Sequence, residues 1–223
     1  MARKPKQKEF SMDFNTAQVT RVLESITKDS KTLIKYTMSD YKRKAKTIAK
    51  EGICEVYNVK KGQVFGSSEK SGLGTLNLKG SLTNLALEFK GLVLRPMHFS
   101  MKPNKPPANE KPYTLTQTVY KGKTETIGQY RKPRRKGRKK GVYTSDKSPV
   151  MLFHRWYTVK AYGKPHQYIP GHRTRPNNRN AIKSFTTTSL AGMVRNENVE
   201  KRVMDESRDY LLDRLQHHYN RFK

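Results

Sequence analysis

Cysteine is almost missing: Cys54 is the only one in 223 residues, so no intramolecular disulfide can close. Neither a CxxC pair nor a Cys/His array with zinc-finger spacing occurs. A secreted, disulfide-stapled module is excluded on that ground. Long apolar runs are missing too. Nowhere do about 18 apolar residues follow one another, as a membrane span requires, and the basic start MARKPKQKEF has no apolar stretch behind it to make a secretory signal. The expectation is a soluble chain made in a reducing cytoplasm, without a membrane partner.

Acidic residues are the next scarcity, with 18 Asp plus Glu against 47 Lys plus Arg and a formal net charge of +29. A field of that sign attracts nucleic acid or acidic protein surfaces and says nothing about fold. In the middle of the chain Glu88, Glu110, Glu125 and Asp146 do not form the carboxylate pairs that a two-metal nuclease or a glycosidase needs. Adjacent His217 and His218 stand about 100° apart on a helix and do not converge on one metal. His154 lies in an apolar stretch as a packed imidazole, and Cys54 has no nearby His to activate it. Gly72 and Gly74 lack the Gly-Lys-Ser/Thr ending of a phosphate loop. No catalytic residue, metal site or cofactor is assigned, and the chain reads as a non-enzyme.

Hydrophobic residues amount to 34%, a low share, so a modest core must come from selected segments. Residues 1–14 form a basic arm carrying Arg3, Lys4, Lys6 and Lys8, without structure of their own. From Asn15, a candidate N-cap, apolar residues recur in steps of three, four or seven through Val19, Leu23, Ile26, Leu33, Ile34, Met38, Tyr41, Ala45 and Ile48. Neither Pro nor Gly intervenes before Gly52. That predicts a long amphipathic helix over 15–51. A Gly/Ser-rich stretch at 66–74 reads as a linker.

A β-rich middle follows over 80–162. Leu85, Leu87 and Phe89 alternate with polar residues, and a period of two continues through Leu92, Leu94, Met97, Phe99 and Met101 with breaks at Gly91 and Pro96. Thr114–Tyr120 and Thr124–Tyr130 read as a hairpin about Lys121-Gly122-Lys123. PVMLFHRWYTVKAY at 149–162 reads as a central strand buried on both faces, with Trp156 a core aromatic. Pro165, Pro170 and Pro176 make 163–188 an extended basic connection. A secure helix closes the chain over 197–222, its acids toward the start and its bases toward the end, matching the helix dipole. The fold class is therefore α+β: 15–223 as one domain, with the long N-terminal helix and the C-terminal helix packed on a mainly antiparallel sheet that carries long basic loops.

Two groups of residues stand out as contacts. The loop at 131–141 holds Arg131, Lys132, Arg134, Arg135, Lys136, Arg138, Lys139 and Lys140, eight cations in ten positions, with Pro133 and Gly137 preventing a helix. Such a run binds phosphate by counterion release, or docks on an acidic protein surface, and reads no bases. Leu33, Ile34, Tyr41, Leu211, Leu215 and Tyr219 on the two helices are candidate subunit-interface residues, because the first helix exceeds the width of a small domain.

Residues 26–65, ITKDSKTLIKYTMSDYKRKAKTIAKEGICEVYNVKKGQVF, and 187–222, TTSLAGMVRNENVEKRVMDESRDYLLDRLQHHYNRF, carry a further signal. In the second stretch a Ser-Leu turn, Met193-Val194, Asn196 and the closing helix follow one another. In these stretches the chain resembles the minor tail protein Z family of tailed bacteriophages, and more distantly the small proteins of the head–tail junction. The resemblance implies a virion protein at the head-proximal end of the tail or in the neck, present in the host cytoplasm during assembly. It implies a homo-oligomeric ring that touches head-connector and tail-tube or tail-terminator proteins, with nonspecific contact to genomic DNA. The alternative that charge alone suggests is a cytoplasmic, sequence-nonspecific nucleic-acid-binding protein, and a small nuclease is the weakest of the three.

Overall fold

In a computed structural model, residues 8–13, 30–65, 72–82, 84–108, 111–130, 151–153, 155–159, 167–173 and 182–222 are described. The class is α+β, with a long N-terminal helix, a C-terminal helix and mainly antiparallel sheets. The chain divides into two compact units, residues 1–93 with 188–223 and residues 94–187.

In the first unit, helix α1 (Ser30–Val56) forms because its apolar residues keep helical spacing and find a partner. Leu33, Met38, Tyr41, Ala45, Ile48, Ala49 and Ile53 are all buried. Its expected start at Asn15 lies outside the described residues. Its end differs from expectation, since Gly52 does not stop it. A Cβ at Gly52 would meet Val203 Cγ2 at 3.0 Å; the glycine lets the last helix approach, and that packing outweighs its poor helix propensity. The helix runs on to Val56, and a single turn, α2 (Lys61–Val64), follows.

Three strands, β1 (Lys8–Asp13), β2 (Gly74–Lys79) and β3 (Ala86–Gly91), form an antiparallel sheet in the order β1-β3-β2. The arm expected to be structureless thus supplies an edge strand over Lys8–Asp13. Phe10 stands opposite Phe89 and the backbone of the arm joins the β3 ladder, satisfying donors that would otherwise need water. Leu76 and Leu78 pair with Phe89 and Leu87, and Leu76, Leu87 and Phe89 are buried. Beyond Gly91 the predicted strand continuation is absent. Pro96 starts a 3-10 turn (Pro96–His98), and Leu94, Phe99 and Met101 are buried from irregular backbone.

Helix α3 (Leu190–Val194) is capped by Ser189, whose Oγ accepts from the Gly192 N–H at 3.1 Å. Helix α4 (Glu197–Phe222) begins after Asn196, whose Oδ1 accepts from the Asn198 N–H at 3.2 Å. It packs along α1 through Val199, Val203, Ser207, Leu211 and Leu215, all buried. Gly52 meets Val199 and Val203 near the start of α4, and Asp40 meets His218 near its end, so the two helices run antiparallel. Each buried Leu or Ile there contributes about 1.5–3 kcal/mol.

The second unit holds two three-stranded sheets. β4 (Tyr113–Tyr120) and β5 (Lys123–Tyr130) form the predicted hairpin, with Gly122 at φ 75° in its turn, a conformation that glycine adopts without a Cβ penalty. β6 (Met151–Phe153) joins β5 in parallel. β7 (Arg155–Val159), β8 (Gln167–Arg173) and β9 (Ile182–Ser184) make the other sheet, antiparallel throughout. The single central strand expected over 149–162 is therefore two edge strands in different sheets; an apolar run that reads as burial on both faces is divided at a sheet switch.

The extended segment expected over 163–188 also contributes strands, β8 and β9. Pro170 is tolerated in β8 because its carbonyl accepts from Ser184 Oγ at 3.2 Å, so its ring nitrogen faces the β9 side, just outside the Gly171–Ser184 pair where that ladder ends. Met101, Leu115 and Phe185 form the buried core here, with Tyr113, Ile127, Tyr130 and Trp156 packed around it. Trp156 is thus the core aromatic expected. Its Nε1 donates to the Tyr113 hydroxyl, and the Tyr113 ring stacks on its cross-strand partner Tyr130 at 4.8 Å.

Candidate functional site

Of the two predicted contact groups, the loop cations Arg131, Lys132, Arg134, Arg135, Lys136, Arg138, Lys139 and Lys140 lie outside the described residues. The strand that leads into them, β5, ends at Tyr130.

The six helix residues separate into two classes. Leu33, Tyr41, Leu211 and Leu215 are no more than 2% exposed. Their apolar surface is taken up within the chain, which corrects the expectation that these four face a neighbouring subunit. The physical reason is the pairing of α1 with α4: each helix buries its stripe on the other instead of projecting. Ile34 and Tyr219 are half-buried and keep part of their surface.

A polar seam runs through the same helix pair. Thr37, Tyr41, Ser207 and His218 are buried, and His218 Nε2 lies 3.0 Å from Asp40 Oδ2. The Tyr36 ring, itself exposed, sits 5.7 Å from the His218 ring. Burial pushes the Tyr41 phenol up to about 12, with the Ser207 hydroxyl beside it acting the other way. Tyr210 lies 6.4 Å from Tyr41, ring to ring, and carries the Arg214 guanidinium over its face at 5.6 Å. No group of three or more His, Cys, Asp or Glu side chains is placed to hold a metal ion among the described residues. No helix among them is long and apolar enough to cross a membrane.

Charge is distributed very unequally between the two long helices. α4 carries Glu197, Glu200, Asp205, Glu206, Asp209 and Asp213 beside Lys201, Arg202, Arg208, Arg214 and Arg221, and it is laced by local pairs. Arg202 pairs with Glu206 at 2.6 Å, Arg208 with Asp205 at 3.3 Å and Arg214 with Asp213 at 2.8 Å. α1 carries Lys31, Lys35, Lys42, Arg43, Lys44, Lys46 and Lys50 against only Asp40, Glu51 and Glu55.

Each of those three carboxylates is engaged away from the lysines of its own outer face. Asp40 holds His218, Glu55 pairs with Arg202, and Glu51 accepts from Lys61 at 3.0 Å. The Lys61 hydrogen bond is the main reason the Glu51 carboxyl is held below its ordinary value. At 100° per residue, Lys31, Lys35, Lys42, Lys46 and Lys50 fall within an arc of about 100°, with Arg43 at its margin. All are exposed except Lys50, which is half-buried. None of the six has a carboxylate within ion-pair distance among the described residues.

Sequence reasoning concentrated on the run at 131–140 and passed over this face. The signal was present as lysines in steps of four and seven, with the acids of the same segment out of phase. It was hidden because a lysine-rich amphipathic helix reads by default as a solvated surface. No family model, curated protein or solved structure matches the chain.

Proposed function

We propose that the chain is a structural protein of a tailed-phage virion. It acts as a tail-completion or neck component at the head-proximal end of the tail, forms a homo-oligomeric ring that helps join tail to capsid, and turns over no substrate. The observation that carries this reading is that the two sequence stretches resembling the minor tail protein Z family come together as one packed element. α1, from the first stretch, lies antiparallel on α4, from the second, with Gly52 against Val203 and Asp40 against His218. The Ser189 cap, the short α3 and the Asn196 cap lead into α4 in the order the resemblance implies.

Surfaces for identical neighbours support the same reading. In the β1-β3-β2 sheet β1 pairs only with β3 among the described residues, while β2 is bridged on its outer side at Gly74 by Phe65, and an unpaired strand edge such as that of β1 is a ready site for backbone pairing with another copy. Leu92 and Val93, just past β3, are exposed. The partners this reading names are head-connector and tail-tube or tail-terminator proteins, and its location is the tail or neck of the virion, reached from the host cytoplasm.

Light scattering and electron microscopy of the purified chain test it, together with a phage in which the gene is interrupted. Closed rings, and tails that accumulate unjoined to heads, are the expected results. A chain that stays monomeric at high concentration and is absent from purified virions overturns the proposal. The second reading, a sequence-nonspecific nucleic-acid-binding protein, is favoured by the unneutralised cations along α1; it predicts a monomer that saturates duplex DNA and is dispensable for joining.

A further inference from the structure

We infer that the outer face of α1, and not only the loop at 131–140, is a binding surface for the sugar–phosphate backbone of duplex nucleic acid. The inference does not depend on ring assembly, since it concerns one helix face of the folded chain.

Geometry comes first. From Lys31 to Lys50 the cations extend over about 28 Å, the axial length of about eight base pairs, in steps of about 6–10 Å. Strand phosphates recur about every 3.4 Å of duplex axis. They are denser than the cations, so each flexible lysine stem has a phosphate within reach without demanding a register. The helix is held rigid from behind by its burial on α4, with Tyr41 and Ile48 at most 3% exposed; by Ala49 and Ile53 the buried stripe has drifted onto the arc itself, so the open part of the face lies toward Lys31.

Charge comes second. A cationic helix is usually neutralised by carboxylates one turn away, as α4 is by its own pairs. On α1 the carboxylates point elsewhere and are occupied by His218, Lys61 and Arg202. The positive potential of the face is left for an external anion.

Composition then selects among anions. Lysine is depleted in the cores of protein–protein interfaces, where aromatics and arginine serve as anchors, and the arc holds Lys31, Lys35, Lys42, Lys46 and Lys50 with Thr32, Ser39 and the buried Ala49 and Ile53 and no aromatic. A helix that lies on a membrane inserts its apolar face into the headgroup boundary, whereas the apolar face of α1 is buried on α4. A nucleic-acid backbone asks for point charges in a line and nothing more. The same simplicity means that no base is read.

The test is fluorescence anisotropy of a labelled 30-base-pair duplex of arbitrary sequence with the full chain, across salt concentrations. Two variants are compared, K35Q/K42Q/K46Q/K50Q and R134Q/R135Q/R138Q/K139Q. Circular dichroism and the thermal midpoint report whether each variant is folded, and light scattering on the same preparations reports the oligomeric state. The first variant is expected to weaken binding at least tenfold at low salt, to lower the magnitude of the log–log salt slope by about 3, and to leave the wild-type midpoint and oligomer unchanged. Two duplexes of unrelated sequence should bind equally.

A wild-type chain that does not bind the duplex at low salt overturns the inference, as does a first variant with the wild-type slope. Competition by poly-glutamate or by anionic phosphatidylserine vesicles as effective as that by DNA also overturns it, in favour of an acidic protein or a lipid surface. A monomer that binds DNA through α1 sinks the ring and keeps this inference; a ring that ignores DNA does the reverse.

Discussion

Gly74 and Gly91 stand directly opposite each other in β2 and β3, and Leu190 occupies the space that their side chains would fill. A Cβ on Gly91 would lie 2.9 Å from Leu190 Cβ and 3.0 Å from the Leu73 carbonyl oxygen; one on Gly74 would lie 2.3 Å from the Lys90 carbonyl oxygen. Leu190 is fully buried as a result. Short α3 is seated on its sheet by a notch of two glycines.

Gly91→Ala is therefore expected to destabilise the fold by about 1–3 kcal/mol, the cost of overpacking where backbone atoms cannot give way. Urea unfolding followed by circular dichroism measures it. A variant as stable as the parent would show that the notch has room.

The Asp40–His218 pair joins residues 178 positions apart in sequence. Asp40→Ala is expected to cost about 1–3 kcal/mol, since it strips the carboxylate from an imidazole that is nearly buried. In a double-mutant cycle with His218→Gln the second change should cost clearly less than it does alone. Strict additivity would mean that the contact contributes nothing to the helix pairing.

Tyr41 sets the alkaline limit of the helix pair. Its phenol is raised by burial to about 12 in the folded chain, against an ordinary value of 10.0. The unfolded chain loses that proton first as pH rises, so the contribution, about 3 kcal/mol, is complete below pH 10 and is lost between about pH 10 and 12. Stability against urea at pH 8 and pH 11 should fall in the parent, and fall much less in Tyr41→Phe. An equal fall in both would assign the alkaline loss to other groups.

Trp156, the only tryptophan, reports on the second unit, while the far-ultraviolet circular dichroism is dominated by α1 and α4 in the first. Each unit has its own core, so the two signals are expected to give different urea midpoints. Tyr113→Phe removes the acceptor of the Trp156 N–H. It should lower the fluorescence midpoint, by roughly 1 kcal/mol in stability, and leave the helical transition in place. One common midpoint that moves for both probes would mean that the units unfold together.

The helices were legible because burial and periodicity agree along them. Leu33, Met38, Tyr41, Ala45 and Ile48 on α1, and Val199, Val203, Leu211 and Leu215 on α4, are all buried. What could not be read was that each stripe is the other's partner, because period fixes a face without naming what covers it. The hairpin about Gly122 was legible from turn chemistry. β1 and β2 were not, because edge strands carry few apolar residues and owe their state to the β3 ladder. β8 was hidden by Pro170, which breaks a strand only where the neighbour on its nitrogen side needs an N–H there, and β9 does not reach that far.

The charged face of α1 was obscured for a related reason. Composition supplied the excess, but only the folded positions of Asp40, Glu51 and Glu55 show that it is left uncompensated there. A run such as 131–140 attracts notice because its cations are adjacent in sequence, whereas those of α1 become adjacent only on the helix.

Leu94 and Thr187, the first and last residues of the second unit, are fastened together: the Thr187 N–H and hydroxyl both donate to the Leu94 carbonyl, at 2.9 and 3.1 Å. Next to them Val93 bridges Ser189 in the first unit. The excursion from Leu94 to Thr187 is thus tied shut at its own base by bonds that belong to it alone, so its two ends stay clasped without help from any residue outside it.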